Sequence, residues 1–371
     1  MFKLLFAYLL IYSGVHAVFF HRVRVLFPGK WWVTSLVVLF LILMILSPLF
    51  SRILELKGND FLARGVAYAG YYWMGFIFLA FVGCLLLYLF DLISWGAGTI
   101  TPVTLPTLSG KMPVSGLIGL VVVLMVYGHF EALNLKVERI VITTDKLPPH
   151  TKPIRIVQIS DIHLGIINRE RCLERIMDKV KAESPDMLVC TGDLVDGSMQ
   201  NLMHLSGLIS RFQPPYGKYA VTGNHEYYAG LDHAIEFMER SGFEVLRQEV
   251  RIVKNLINIA GVDDGGRLRS VDATTPLSSI QNNLFTLYLK HRPDISQETV
   301  GLYDLQLSGH THNGQIFPFN YLVLLEFPLL KGYHELEKNS KIYINRGAGT
   351  WGPPVRILSP PEITVIELKR K

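Results

Sequence analysis

Cysteine is scarce in this chain. Its 371 residues include three, at positions 84, 172 and 190, and none forms a CxxC pair. That argues against a disulfide framework and against a thiolate metal site. Cys84 falls in an apolar run, Cys172 in a predicted helix and Cys190 in a predicted buried strand, so each reads as a small buried hydrophobe. Polybasic runs and arginine-rich helices are also lacking, so nothing makes a case for a nucleic-acid partner. The formal charge of +5 is mild. It suits phosphate-bearing substrates or anionic headgroups without demanding either. No internal repeat or low-complexity tract stands out. No carboxylate cluster lies inside the apolar runs, which removes the usual sign of a transport pathway.

What is present is apolar residue, unevenly spread. Half the chain is hydrophobic and the mean hydropathy is +0.30. Residues 1–133 carry most of it, and 134–371 read as an ordinary α/β domain. Crossing a bilayer takes about 20 apolar residues in a helix. Trp31–Phe50, Val66–Phe90 and Val114–Phe130 qualify, and Leu4–Phe20 makes a shorter fourth span that contains His16. Tyr68, Tyr71, Tyr72 and Trp73 open the second of these as an interfacial belt would. The first stretch has a rival reading: Lys3, an apolar run and Val15-His16-Ala17 resemble a signal peptide with its cleavage site. Four spans put both termini on one side. With a cytoplasmic N-terminus, the inside segments hold Lys3, Arg52, Lys57, Arg64, Lys136, Arg139, Lys146 and Lys152, against Arg22, Arg24, Lys30 and Lys111 outside. The excess favours a multi-pass protein with its α/β domain in the cytoplasm. The segment Asp91–Pro113 reads as an outside loop.

Beyond Lys136 the pattern changes to short β-rich runs. Val137–Thr143, Ile154–Ile159, Met187–Cys190, Tyr219–Val221, Asn258–Val262, Leu284–Leu289, Leu305–Leu307 and Lys341–Ile344 read as strands, and Arg169–Ala182 as a helix with Leu173, Ile176, Met177 and Val180 on one face. Polar chemistry clusters just past the strand ends: Asp161 and His163, then Asp193 and Asp196, then Asn224, His225 and Glu226, then His291, then His310 and His312. Ligands of open α/β sheets bind beyond the carboxyl ends of strands. Imidazoles with carboxylates and one amide oxygen suit Mn, Fe, Zn or Co rather than calcium. The glycines beside them allow sharp turns and close backbone approach. A pair of such cations clamps the attacking and leaving oxygens of a displacement at phosphorus.

In order along the chain these residues spell DxH, GDxxD, GNHE, a lone His and GHxH. The set resembles the calcineurin-like metallophosphoesterase superfamily. The ending Arg346-Gly347-Ala348-Gly349-Thr350-Trp351-Gly352-Pro353-Pro354-Val355-Arg356, then Pro360-Pro361-Glu362, resembles the YkuE-like branch, whose bacterial members often carry N-terminal membrane segments. The resemblance covers roughly 134–371. It implies a four-layer α/β/β/α sandwich holding two divalent transition-metal ions. Asp161, His163 and His312 would hold one metal and Asn224, His291 and His310 the other, with Asp193 bridging. His225 would stand by the leaving group, oriented by Asp196. The chain departs from the pattern at Asn313, where the branch usually has Gly, and at Arg292, where a smaller or amide residue is more usual.

The expectation is a membrane-anchored phosphoesterase acting on a phosphomonoester, phosphodiester or pyrophosphate, with an amphiphilic substrate favoured by the anchor. A nucleotide phosphodiesterase or nuclease of the same fold is the alternative, and a non-catalytic membrane receptor or scaffold the more distant one. Of the 12 histidines, His204, His233 and His334 are expected at the surface or in packing roles. Glu226 is expected to orient its loop, Asp263 and Asp264 to make a turn, Arg292 to face solvent, and Tyr227 and Tyr228 to cover the core.

Overall fold

The computed structural model describes residues 2–100, 106–197, 202–266, 271–280 and 282–371. The chain forms two compact units, Met1–Phe130 with Gly352–Val355, and Glu131–Trp351 with Arg356–Lys371.

In the first unit α1 (Phe2–Val23), α2 (Trp31–Leu56), α3 (Asp60–Ile100) and α4 (Lys111–Leu133) follow one another. Among the described residues, four helices are long and apolar enough to cross a membrane. Several polar side chains among them are paired, as an apolar surround favours. His16 Nδ1 lies 2.7 Å from the Tyr12 carbonyl, and the Trp73 indole donates to its Nε2 at 2.8 Å. Arg22 pairs with Asp91 at 2.7 Å and lies 3.7 Å over the Tyr88 ring. Asp91 also accepts from the Leu108 N–H at 2.6 Å. These bonds explain why α3 outruns its predicted end at Phe90: the charge that marked a boundary is matched inside the bundle. The predicted loop Asp91–Pro113 is therefore helical through Ile100, while 101–105 lie outside the described residues.

The second unit runs β1 (Lys136–Thr144), β2 (Ile154–Ile159), α5 (Glu170–Ala182), β3 (Met187–Cys190), α6 (Ser206–Ser210), β4 (Lys218–Ala220), α7 (Asn224–Ala229), α8 (Leu231–Arg240), β5 (Glu244–Val245), β6 (Glu249–Val253), β7 (Ile257–Gly261), α9 (Thr274–Ser278), β8 (Phe285–Leu289), β9 (Leu305–Ser308), α10 (Asn320–Val323), β10 (Gly332–Glu335), β11 (Lys341–Ile344) and β12 (Glu362–Arg370). Two six-stranded mixed sheets form, ordered β1-β12-β2-β3-β4-β5 and β10-β11-β9-β8-β7-β6.

Side-chain alternation along the strands builds the layers. In β2, Ile154 and Ile156 enter the core between the sheets, where they meet Ile257, Ile259, Phe285 and Leu287. Val157 and Ile159 point the other way, toward Leu173, Ile176 and Met177 of α5 and Phe237 of α8. On the far face of the second sheet, Ala260 and Tyr288 pack with Leu277 of α9. The result is the expected four layers, α/β/β/α, with strands buried on both faces. Every predicted strand is present within one residue of its expected ends. β5, β6, β10 and β12 were not expected.

Candidate metal centre

Five loops at the carboxyl ends of β2, β3, β4, β8 and β9 bring the expected residues together. Asp161, His163 and His312 offer ligand atoms within 4.8 Å of one another, as do Asp193, His291 and His310. His163, Asp193 and His225 make a third such group and link the first two. Nitrogens face each other closely: His163 Nε2 and His312 Nε2 at 3.0 Å, His310 Nδ1 and His291 Nε2 at 3.1 Å. Asp193 Oδ2 lies 3.2 Å from His291 Nε2 and 3.8 Å from His163 Nε2.

The backbone is strained to make this arrangement. Asp161, His163, Asp193, His310 and His312 all have φ between 48° and 73°, a region that non-glycine residues seldom occupy outside functional sites. Two glycines permit it. Gly192 sits at φ 91°, and a Cβ on Gly223 would fall 2.2 Å from Asp193 Oδ1. Asn313, at φ 49°, takes the left-handed turn that glycine would otherwise supply, as asparagine can.

Hydrogen bonds orient the ring nitrogens and carboxylates. The Thr191 carbonyl accepts from His291 Nδ1–H at 2.7 Å, so the lone pair that His291 offers on deprotonation is that of Nε2, facing the site. The His225 N–H donates to Asp193 Oδ1 at 2.8 Å, which frees Oδ2. The His310 N–H donates to Asp161 at 3.1 Å.

The fit to cations rests on the donor set and on one orphan. Asn224 Oδ1 is buried with no hydrogen-bond partner among the described residues, a costly state for an amide oxygen unless it meets a cation. Oxygen and imidazole ligands in this mixture suit borderline divalent metals. The electrostatics agree. Burial and the charge of His225 push His163 down to about 3, and burial and His291 do the same to His310, so both rings are neutral as ligands must be. Burial opposes the charged forms of Asp161 and Asp193, but His312 beside the one and His291 beside the other hold both carboxyls well below the usual range. His291 resists its own burial because of Asp193 and Asp161 and rises to about 10, so it must shed a proton to bind a metal.

His225 stands apart. Its Nδ1 lies 2.7 Å from Asp196 Oδ1. Burial disfavours its charge, yet the Asp196 hydrogen bond and Asp193 raise it to about 9. Tyr228 and Trp351 flank it edge-on, with ring centroids at 5.2 and 5.9 Å.

Several expectations are corrected here. Tyr228 is 51% exposed beside His225 instead of covering the core. Arg292 is only partly solvent-facing: it grips Asp264 with two nitrogens at 2.7 and 3.1 Å. Asp263 is more than a turn residue, since it binds Thr222 Oγ1 and Arg247, each at 2.8 Å. Glu226 does orient its loop. One carboxylate oxygen accepts from the Asp193 and Gly223 N–H groups and the other from Leu194 and Val195. Cys84 and Cys190 are buried as expected, with Cys172 partly so.

Sequence reasoning missed Arg356. It is fully buried, and its guanidinium binds the Arg346, Gly347, Gly349 and Ser359 carbonyls while lying 3.1 Å from His312 Nδ1. The signal was visible, since an arginine ends the glycine-rich run at 346–356. A single sequence does not distinguish a buried guanidinium from a solvated one.

A cradle of imidazoles and carboxylates at the strand ends of a double-sheet sandwich is the layout of a metal-dependent hydrolase. The family model for calcineurin-like phosphoesterases matches residues 154–314. An uncharacterised metallophosphoesterase of Aquifex aeolicus is 43% identical over 256 residues, 67% of this chain and 98% of its own length. The uncharacterised metallophosphoesterase YkuE of Bacillus subtilis is 34% identical, with 62% of this chain and 83% of that protein covered. A protein of Danio rerio named as a transmembrane protein with a metallophosphoesterase domain is 33% identical, covering 67% of this chain and 61% of its own. The chain belongs to the metallophosphoesterase family.

Proposed function

We propose that this protein hydrolyses a phosphomonoester, phosphodiester or pyrophosphate bond of an amphiphilic substrate, such as a phospholipid or a lipid-linked phosphate, using two divalent transition-metal ions (Mn, Fe, Zn or Co). We place its catalytic domain on the cytoplasmic face. The observation that supports the two-metal reading is the pair of ligand groups linked through His163 and Asp193, together with the buried Asn224 oxygen that has no partner among the described residues. Asp161, His163 and His312 would hold one ion and Asn224, His291 and His310 the other, with Asp193 between them. Bound there, two cations would acidify water and neutralise phosphoryl oxygens.

The chain's own residues do the rest. Asp196 fixes the His225 ring and favours its protonated form, so His225 is the group that hands a proton to the departing alkoxide. Thr191 and the N–H of His225 hold ligand atoms in place before substrate arrives. The amphiphilic substrate follows from the anchor, which keeps the site among interfacial molecules.

Metal analysis and turnover of a soluble aryl phosphodiester test the proposal together. The parent is expected to hold two ions per chain and to turn over the ester. Asp193→Ala is expected to lose metal and to be the most damaging single ligand change. Full two-metal occupancy in Asp193→Ala would refute the bridging assignment. A metal-loaded parent without turnover on any phosphoester would favour a receptor or scaffold.

A further inference from the structure

Between Asn313 and Leu325 the chain carries no charged residue. Within that stretch Phe317, Phe319, Tyr321, Leu322, Leu324 and Leu325 are all exposed, Leu325 by 83%. Folded soluble surfaces rarely gather so much apolar side chain in one short segment without a partner.

The segment is fixed to the metal centre at both ends. It leaves directly after His312. It returns through Phe327, whose buried ring lies edge-on to His310 at 5.1 Å, and through Leu330, whose carbonyl accepts from Thr311 Oγ1 at 2.6 Å. Beside it runs Ile357–Leu358, bonded to it by Phe317 N–H to Ile357 O at 3.1 Å. Leu358 is held at φ 57° with its side chain 60% exposed, a strained posture for a leucine that gains nothing in water.

What covers this patch is indicated by its neighbour. The Leu358 N–H donates to Glu131 Oε2 at 3.0 Å. Glu131 lies in the last turn of α4 (Lys111–Leu133), a candidate membrane span. The patch is thus hydrogen-bonded to the point where an apolar helix ends, which is the level of a membrane–water boundary. Phenylalanine, tyrosine and leucine are the residues that partition into such a boundary. Exposed Lys331 follows the segment and suits the headgroup region, while exposed Glu326 marks the limit of burial.

We infer that residues 317–325, with Leu358, insert into the surface of the bilayer that the helices cross, and so seat the metal centre against it. A lipid phosphate then reaches the site without leaving the interface. The inference deepens the proposed function and rests on it for the substrate, but the docking itself is measurable without any turnover.

The test uses the full-length protein in nanodiscs of phosphatidylethanolamine and phosphatidylglycerol. An environment-sensitive dye is placed at Leu325→Cys or, as a control on an exposed loop, at Lys254→Cys, each with Cys172→Ala. The dye at 325 is expected to be quenched several-fold more by shallow spin-labelled lipid than the dye at 254, and to be shielded from aqueous iodide. Equal iodide access at the two positions overturns the inference. So does energy transfer between labelled copies in place of lipid quenching, because a second copy then covers the patch. In a second arm, Leu322→Asp with Leu325→Asp is expected to reduce turnover of a bilayer-embedded phosphodiester by about tenfold, with turnover of the soluble aryl ester retained. An equal fall on both substrates in a folded, metal-loaded variant counts against docking. A parent inactive on the soluble ester defeats the proposed function instead, and the quenching result still decides the docking.

Discussion

His225 and Asp196 make a pair whose value depends on what leaves. An alkoxide departs poorly without a proton, whereas a nitrophenolate needs little help. General acid catalysis typically contributes about 10²–10⁴-fold. His225→Ala is therefore expected to cost about that much on an alkyl ester and clearly less on an activated aryl ester, with metal retained. The folded pKa is raised to about 9, so the acid form is present below that value and is lost as pH rises through it. Steady-state profiles should show a falling alkaline limb on the alkyl ester that is absent from His225→Ala. An equal fall on both esters, with chemistry rate-limiting, leaves phosphate binding as the better account. Glu226 offers a second test. Each of its oxygens accepts two backbone N–H groups, and burial with the nearby Asp193 charge pushes its carboxyl up to about 7. Glu226→Gln turns an NH₂ group toward two of those donors. We expect a loss of about 1–3 kcal/mol and weaker metal retention, read by denaturation and metal analysis. Unchanged stability would mean the loop holds itself.

At the scale of elements, α1 is tied into its bundle by Tyr8 OH to Ile45 O at 2.8 Å, by Trp73 to His16 and by Arg22 to Asp91. A cleaved signal peptide would forfeit the first two of these bonds. The purified protein is expected to retain α1, and an intact mass that begins after Ala17 would restore the signal-peptide reading. Trp73→Phe should lower the melting temperature by leaving His16 Nε2 without its donor. The same elements show what could be read in advance. β2, β3 and β11 were legible to the residue, because strands buried on both faces are short apolar runs bounded by turns. β12 was not, since Glu362, Glu367, Lys369 and Arg370 dilute its pattern. β6 carries exposed Arg251 and Ile252 at a sheet edge, where alternation is weak. Six of the seven ligand-type residues were legible because each sits in a short motif with glycine or histidine at fixed spacing, and the lone His291 because it follows a predicted strand end between two of those motifs. Arg356, the Arg292–Asp264 pair and the exposure of Tyr228 depend on tertiary packing, which no local pattern encodes.

For the whole molecule, the division at Glu131 bears on how much of the chain the chemistry needs. A fragment beginning at Glu131 keeps the acceptor for Leu358 N–H, which one beginning at Leu135 would lose. The longer fragment is expected to fold, bind metal and cleave a small soluble phosphodiester, and to lose far more activity on bilayer-embedded lipid. Parallel assays of fragment and full chain on the two substrates decide it. Equal loss on both would mean that residues 1–130 help to build the site itself.

The place of β12 has a consequence for how the protein is made. It is the final strand of the chain, yet it lies between β1 and β2 and is the only sheet partner of β1 among the described residues. Ribosomes add about 5–20 residues per second, so β1 waits on the order of ten to fifty seconds after emerging before its neighbour exists. Throughout that interval the apolar helices are already synthesised while β1 and β2 present open edges that invite wrong pairing. A message truncated between codons 313 and 361 therefore yields a chain that carries every ligand residue and has no finished sheet on which to hold them.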